Sequence, residues 1–203
     1  MIVSSQTVDA LVQNSWNAVR DKVENGDNLS SEKTLVFLFA MEITHRVGKN
    51  LKIDFENQCY SNLQGSSRYL DLLFYTDENY KVAIEFKLPR KSAGGASNQP
   101  ETREAIYRDI GRLHYLKNNT IKPKACFFLM AINEPAYLNT GNYKRSPNLI
   151  TSHGHEINPN NNIQIDGVSL NGVQAIFNWR GIVTQNDRFI CEGLYSWLDP
   201  IRV

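Results

Sequence analysis

Between Tyr69 and Leu88 the chain reads Tyr-Leu-Asp-Leu-Leu-Phe-Tyr-Thr-Asp-Glu-Asn-Tyr-Lys-Val-Ala-Ile-Glu-Phe-Lys-Leu, two strand-like runs joined by the polar triplet Asp77-Glu78-Asn79. A three-residue gap is a common hairpin loop, and Asn79 tolerates a left-handed backbone. A turn centred on Glu78 places Leu70, Leu72, Phe74, Val82, Ile84, Phe86 and Leu88 on one face. That face is apolar, and a slip of one residue would mix it with its polar opposite, so the register is well specified. The same register sets Asp71 directly across from Glu85, with Cβ atoms about 4.5–5.5 Å apart. Lys87 follows on that face, two residues beyond Glu85.

Two carboxylates held this close repel and should destabilise the hairpin unless a positive charge sits between them. Lys87 offsets part of the repulsion, and a divalent cation would offset more. Oxygen-only ligation suits Mg²⁺, with Mn²⁺ able to substitute, since such ions accept one or two carboxylates, a carbonyl and several waters. An Asp, a Glu and a Lys on a solvated hairpin face would be ordinary. Glu85-Phe86-Lys87, however, is the only acid-x-Lys triplet in the chain. Neighbours such as Leu73 and Ala83 also point to a partly covered face.

The flanking pattern sets the fold class. Residues 5–24 carry Val8, Leu11, Val12, Trp16 and Val19 at helical spacing, and the Glu24-Asn-Gly-Asp-Asn28 cluster stops them. A second helix starts after Ser30 as N-cap and runs to about Val47, with Gly48 as its stop. From Leu35 to Met41 it is apolar on every side, which predicts burial of most of it. Strands are expected over 52–60, 68–76 and 80–88. A glycine-rich loop over 88–100, expected to be mobile, leads to a third helix over 101–118, with Ile106, Ile110, Leu113 and Leu116 inward and arginines outward. Ala125–Ile132 is a continuous apolar run, as in a fully buried strand. Residues 139–172 are rich in Asn, Gly, Ser and Pro and read as a long excursion or loosely packed insert. Strand-like runs return at 173–179 and 188–197. The order predicts an α/β fold with a mixed central sheet flanked by helices.

With 203 residues, 41% of them hydrophobic, the chain can form one domain with a real core, and wholesale disorder is excluded. The net charge of +1 excludes a histone-like polycation but leaves room for a local basic groove. No apolar run approaches the roughly 20 residues that span a bilayer, and the N-terminus does not read as a signal peptide. Cys59, Cys126 and Cys191 are odd in number and widely spaced, which fits reduced structural thiols in a cytoplasmic protein better than disulfides or a zinc knuckle.

The α-β-β-β-α-β order, the Asp on the second strand and Glu-x-Lys on the third resemble the PD-(D/E)XK nuclease superfamily, which includes many restriction endonucleases and Holliday-junction resolvases. The resemblance covers about residues 30–132, with 133–203 as elaboration of a single domain and Leu70 where the family pattern has Pro. It implies that Asp71, Glu85 and the Phe86 carbonyl bind Mg²⁺, and that Lys87 orients the attacking water and stabilises charge on the scissile phosphate. It further implies a metal-dependent endonuclease acting on DNA, expected to be double-stranded, and compatible with a homodimer that cuts both strands. The alternative is a nuclease-like domain that binds nucleic acid or a partner protein without cutting.

A helix carboxylate often completes such sites. Glu32, at the start of the second helix, fits better than Glu42, although an acid there also complements the helix dipole. Glu56 is a weaker candidate. From Lys81 to Lys124 there are ten Lys/Arg against four Asp/Glu. Arg90, Lys91, Arg103, Arg108 and Arg112 flank the glycine-rich loop and its helix, as a phosphate-tracking groove requires, with Gln99 as a further polar contact. The alternative is a solvated helix face in which Glu101, Glu104 and Asp109 pair with those arginines. His153-Gly-His155-Glu156 lacks a third spaced metal ligand, and Trp16, Trp179 and Trp197 read as packing residues.

Overall fold

The computed structural model describes residues 5–60, 62–63, 68–75, 80–91, 95, 98–141 and 148–203. The expected hairpin loop Asp77-Glu78-Asn79, most of the glycine-rich loop and the first four residues lie outside that set.

Helix α1 (Ser5–Glu24) buries Val8, Val12, Trp16, Val19 and Val23, a single stripe at three- and four-residue spacing. Helix α2 (Glu32–Val47) packs against it. Its N-cap is Ser31 rather than Ser30: the Ser31 Oγ accepts the Thr34 N–H at 3.1 Å, while the Ser30 hydroxyl meets only the Thr34 hydroxyl. Gly48, at φ 79°, closes the helix and donates its N–H to the Thr44 carbonyl. The expectation that α2 is buried all round is corrected at two positions, because Phe37 and Met41 are 58% and 46% exposed. With α1 covering one flank of α2, these side chains face out beside the sheet edge.

Strands β1 (Lys52–Gln58), β2 (Tyr69–Tyr75) and β3 (Lys81–Lys87) form an antiparallel meander. Helix α3 (Gln99–Asn118) is the crossover to β4 (Ala125–Ile132), which pairs parallel to β3. All eight residues of β4 are buried, as its unbroken apolar run requires. Its second edge is filled by Ser196–Leu198 and Ile201–Arg202, both antiparallel to it, with Trp179–Arg180 outside the former. The C-terminal segment is thus part of the central sheet. The architecture is an α/β fold in which α1 and α2 cover one face and α3 the other. Among the described residues no helix is long and apolar enough to cross a membrane.

The hairpin register is the one a turn centred on Glu78 requires: Leu72 faces Ile84, Leu73 faces Ala83 and Phe74 faces Val82. One expected member of the apolar face departs. Leu70 packs with Leu73 and Ala83 on the α3 side, not with Leu72 and Phe74. Alternation therefore breaks at Asp71. The paired residues of β1 and β2 run through Phe55 with Leu72, omit Glu56 with Asp71, and resume at Asn57 with Leu70. Glu56 sits at φ 52°, a left-handed conformation rare outside glycine.

The low-apolar stretch 139–172 is not loosely packed where it is described. Leu149, Ile157, Ile165 and Leu170 are buried in the α3-side core, and Val168 is buried against α3. Gly111 makes this possible, because a Cβ there would stand 2.9 Å from the Val168 Cγ2. A sparse set of well-spaced apolar residues is enough to cap a helix that already presents a buried stripe.

Candidate active site where the hairpin opens

Strand pairing between β2 and β3 ends at Leu72 and Ile84, one residue short of Asp71 and Glu85. The Phe86 N–H, which a continued ladder would direct to β2 backbone, instead donates to Asp71 Oδ2 at 2.7 Å. The N–H and C=O of one strand residue point to the same edge, so the Phe86 carbonyl also faces this gap. Asp71 and Glu85 are close enough for their side chains to hydrogen-bond.

Glu85 is only 3% exposed, and its Oε1 has no hydrogen-bond partner. Burial, then the charges of Asp71 and Asp109, push its pKa well above the usual carboxylate range. Burial also raises Asp71, although the hydrogen bonds from Glu85 and the Phe86 N–H act in the opposite sense. The Tyr60 hydroxyl is buried beside Glu85; burial and that carboxyl raise its pKa in turn.

Lys87 reaches over α3 and α2 together. Its Nζ lies 2.8 Å from Asp109 Oδ2 and 3.7 Å from Glu32 Oε1. Burial opposes the ammonium charge, but Asp109, Glu32 and Glu85 outweigh it, and the net shift of its pKa is upward. Glu32 Oε2 accepts the Leu88 N–H at 2.9 Å, which ties the first turn of α2 to the end of β3. Burial raises the Glu32 carboxyl, and Lys87 acts against that rise. The rival Glu42 lies elsewhere, paired with Lys22 at 2.6 Å and with Arg46 at 3.9 Å.

Asp109, placed on a solvated face under the alternative to a basic groove, is 4% exposed. Its Oδ1 lies 3.6 Å from Arg112 Nη1, and the Arg112 guanidinium sits over the Tyr60 ring at 5.4 Å. The signal was present in the spacing: 106, 109, 110 and 113 form one helical stripe, so Asp109 falls among Ile106, Ile110 and Leu113.

The expected outward arginines are corrected. Arg103 is buried, donates to the Ala136 carbonyl at 2.7 Å and lies over the Tyr137 ring. Arg112 is buried on Asp109, and Arg108 pairs with Asp166 at 2.9 Å. Gln99 Nε2 turns to Glu134 Oε2 at 3.4 Å. Arg90 and Lys91 are exposed, with an Arg90 Nη1 donating to the Leu29 carbonyl at 2.9 Å. The five do not assemble into an open basic track, because Ala136 and Asp166 supply acceptors to Arg103 and Arg108 and Asp109 engages Arg112. Glu56 is exposed and pairs with Lys33. His153 Nδ1 accepts the Trp179 N–H, and His155 stacks on Phe177, both packing roles.

Among the described residues no three His, Cys, Asp or Glu side chains converge into a ready-made metal cage. What converges is two carboxylates and one carbonyl, an all-oxygen set of the kind Mg²⁺ shares with its own waters. Burial is the first cause of the upward shifts of both acids and Lys87 acts against it, yet Glu85 Oε1 keeps no hydrogen-bond partner, so these donors fit a divalent cation. On the α2 side of Asp71 a cleft of about 550 Å³ opens, walled by Glu32, Val36, Phe37, Phe55 and Tyr69. Comparison with known proteins finds no matching family model, no matching curated protein and no matching solved structure.

Proposed function

We propose that the protein is a Mg²⁺-dependent nuclease that hydrolyses DNA phosphodiester bonds, with an active site resembling that of the PD-(D/E)XK superfamily. The observation that carries the reading is the meeting of Asp71, Glu85, Lys87 and Glu32 at the point where the β2–β3 ladder opens. Asp71, Glu85 and the Phe86 carbonyl would hold the cation. When bound, a divalent ion lowers the pKa of water and neutralises charge developing on the phosphate. Lys87 supplies a compact positive charge beside that centre, the property such a transition state needs. Asp109 fixes the ammonium from behind, and Glu32 bridges Lys87 to the backbone of Leu88. Tyr60 and the wall of buried apolar residues around it keep bulk water off Glu85.

Supercoiled plasmid and labelled oligonucleotides incubated with Mg²⁺ or Mn²⁺ test the proposal. Cleavage should vanish in EDTA and in Asp71→Ala, and Lys87→Ala should lower the rate by about 10²–10³-fold. Binding without metal-dependent cleavage of any substrate would favour the non-cutting alternative.

A further inference from the structure

The wall of the cleft beside Asp71 is aromatic and exposed. Phe37, Phe55 and Tyr69 are 58%, 48% and 50% exposed, come from three different elements, and line the same space. Large exposed rings gathered in one concavity mark a ligand surface rather than random surface composition. The charges in that space narrow the ligand. Glu32, Glu56 and Asp71 are acidic, and Lys33 is engaged by Glu56 at 2.8 Å, so beyond the phosphate held at the proposed cation the cleft disfavours a further row of phosphates. An uncharged flat ring with N–H donors suits it: the rings supply stacking faces, and Glu56, outside the proposed metal-binding set, supplies acceptor oxygens.

We propose that this cleft receives one unstacked nucleobase of the DNA substrate, so that the strand is single-stranded or locally melted next to the bond that is cut. The inference rests on the nuclease reading above and adds the substrate class. A base within a duplex offers only its edges, since its faces are covered by its neighbours. Stacking on protein rings therefore selects for an unpaired base, and each such contact is worth about 1–3 kcal/mol. The scarcity of open cations along α3 points the same way, because binding that leans on phosphates alone needs many of them.

Fluorescence anisotropy with a labelled single strand and its duplex, in Ca²⁺ to hold the substrate uncut, provides the test. The single strand should bind at least tenfold more tightly than the duplex. Phe37→Ala/Phe55→Ala/Tyr69→Ala should lose at least tenfold for the single strand and less than twofold for the duplex. A 2-aminopurine base in the strand should be quenched by the native protein and by Tyr69→Phe, and not by the triple variant. Because all three side chains are exposed, the triple variant should keep the native melting temperature. Equal affinity for both DNA forms, or a triple variant that binds the single strand as tightly as the native protein, overturns the stacking site. If Asp71-dependent duplex cleavage is then seen, the nuclease reading stands without it. If no DNA is bound or cut, both fall, and loss of a concentration-dependent dimer in the triple variant would assign the rings to self-association instead.

Discussion

The two faces of the central sheet are built from opposite materials. Under α1 and α2 the contacts are rings and hydrocarbon: Trp16 meets Trp197 at 5.0 Å, and Phe39 meets Phe86 at 5.3 Å. Under α3 the same sheet buries Glu85, Asp109, Arg112 and Arg103 among its apolar residues. Strand β3 divides them residue by residue, with Ile84 and Phe86 on the dry side and Glu85 and Lys87 turned toward α3. Burying apolar area stabilises at about 25 cal/mol per Å², whereas buried ions at best offset their own desolvation. The dry face therefore supplies the stability that the charged face draws on.

The largest break in this comparison should come from the dry side. Phe39→Ala removes a fully buried ring and should cost about 3–5 kcal/mol in urea unfolding, with no direct effect on the charged cluster. On the charged side, Asp109→Ala leaves Lys87 and Arg112 without their shared carboxylate and should cost about 3 kcal/mol. Asp109→Leu combined with Arg112→Met, which removes both charges, should be less destabilised than Asp109→Ala alone, because no buried arginine is then stranded. Additive losses in that pair would show that the ions act independently.

A third prediction turns on pH. The folded-state pKa of Glu85 lies above its unfolded value, so the folded protein binds the extra proton. Stability from this group is therefore fully present below about pH 4 and is lost as pH rises through the folded pKa. In EDTA, Glu85→Gln should melt above the native protein at pH 8, and the gap should close near pH 4. A variant that is less stable at pH 8 would mean that the buried carboxylate is already compensated. The smallest effect belongs to the helix that carries Glu32: Ser31→Ala should cost about 1 kcal/mol and Ser30→Ala less than half of that, read by thermal denaturation.

What could be read from the sequence follows the same division. The dry face was legible because alternation with period two and a short polar gap fix a hairpin register without help from the rest of the chain. The same frame brought Asp71 near Glu85, although the two meet through their side chains in the gap where strand pairing has already ended and not as a register pair. Glu32 was singled out by its place at the start of a helix and not by the hairpin. The swap of Leu70 to the α3 side was not legible, since it depends on the left-handed turn at Glu56 and the joint break in both ladders. The spacing of α3 placed Asp109 in the buried stripe, but the charges of Asp109 and Arg112 pointed the other way. Charged residues are ordinarily solvated, and Asp109 and Arg112 are buried because each meets a partner, Lys87 and the Tyr60 ring among them, under a helix against which residues 165–170 pack at Gly111. Those residues were misjudged in turn, because a stretch with few apolar side chains can still pack closely when each one meets a prepared groove such as that at Gly111.

We propose that Asp71 and Glu85 are held together for a cation that neither binds alone. Calorimetric titration of the metal-free protein with Mn²⁺ reads this directly, beside Asp71→Asn and Glu85→Gln. Uptake of an ion by the native protein and its loss in each variant is the predicted result. No uptake, or uptake untouched by either substitution, would contradict it.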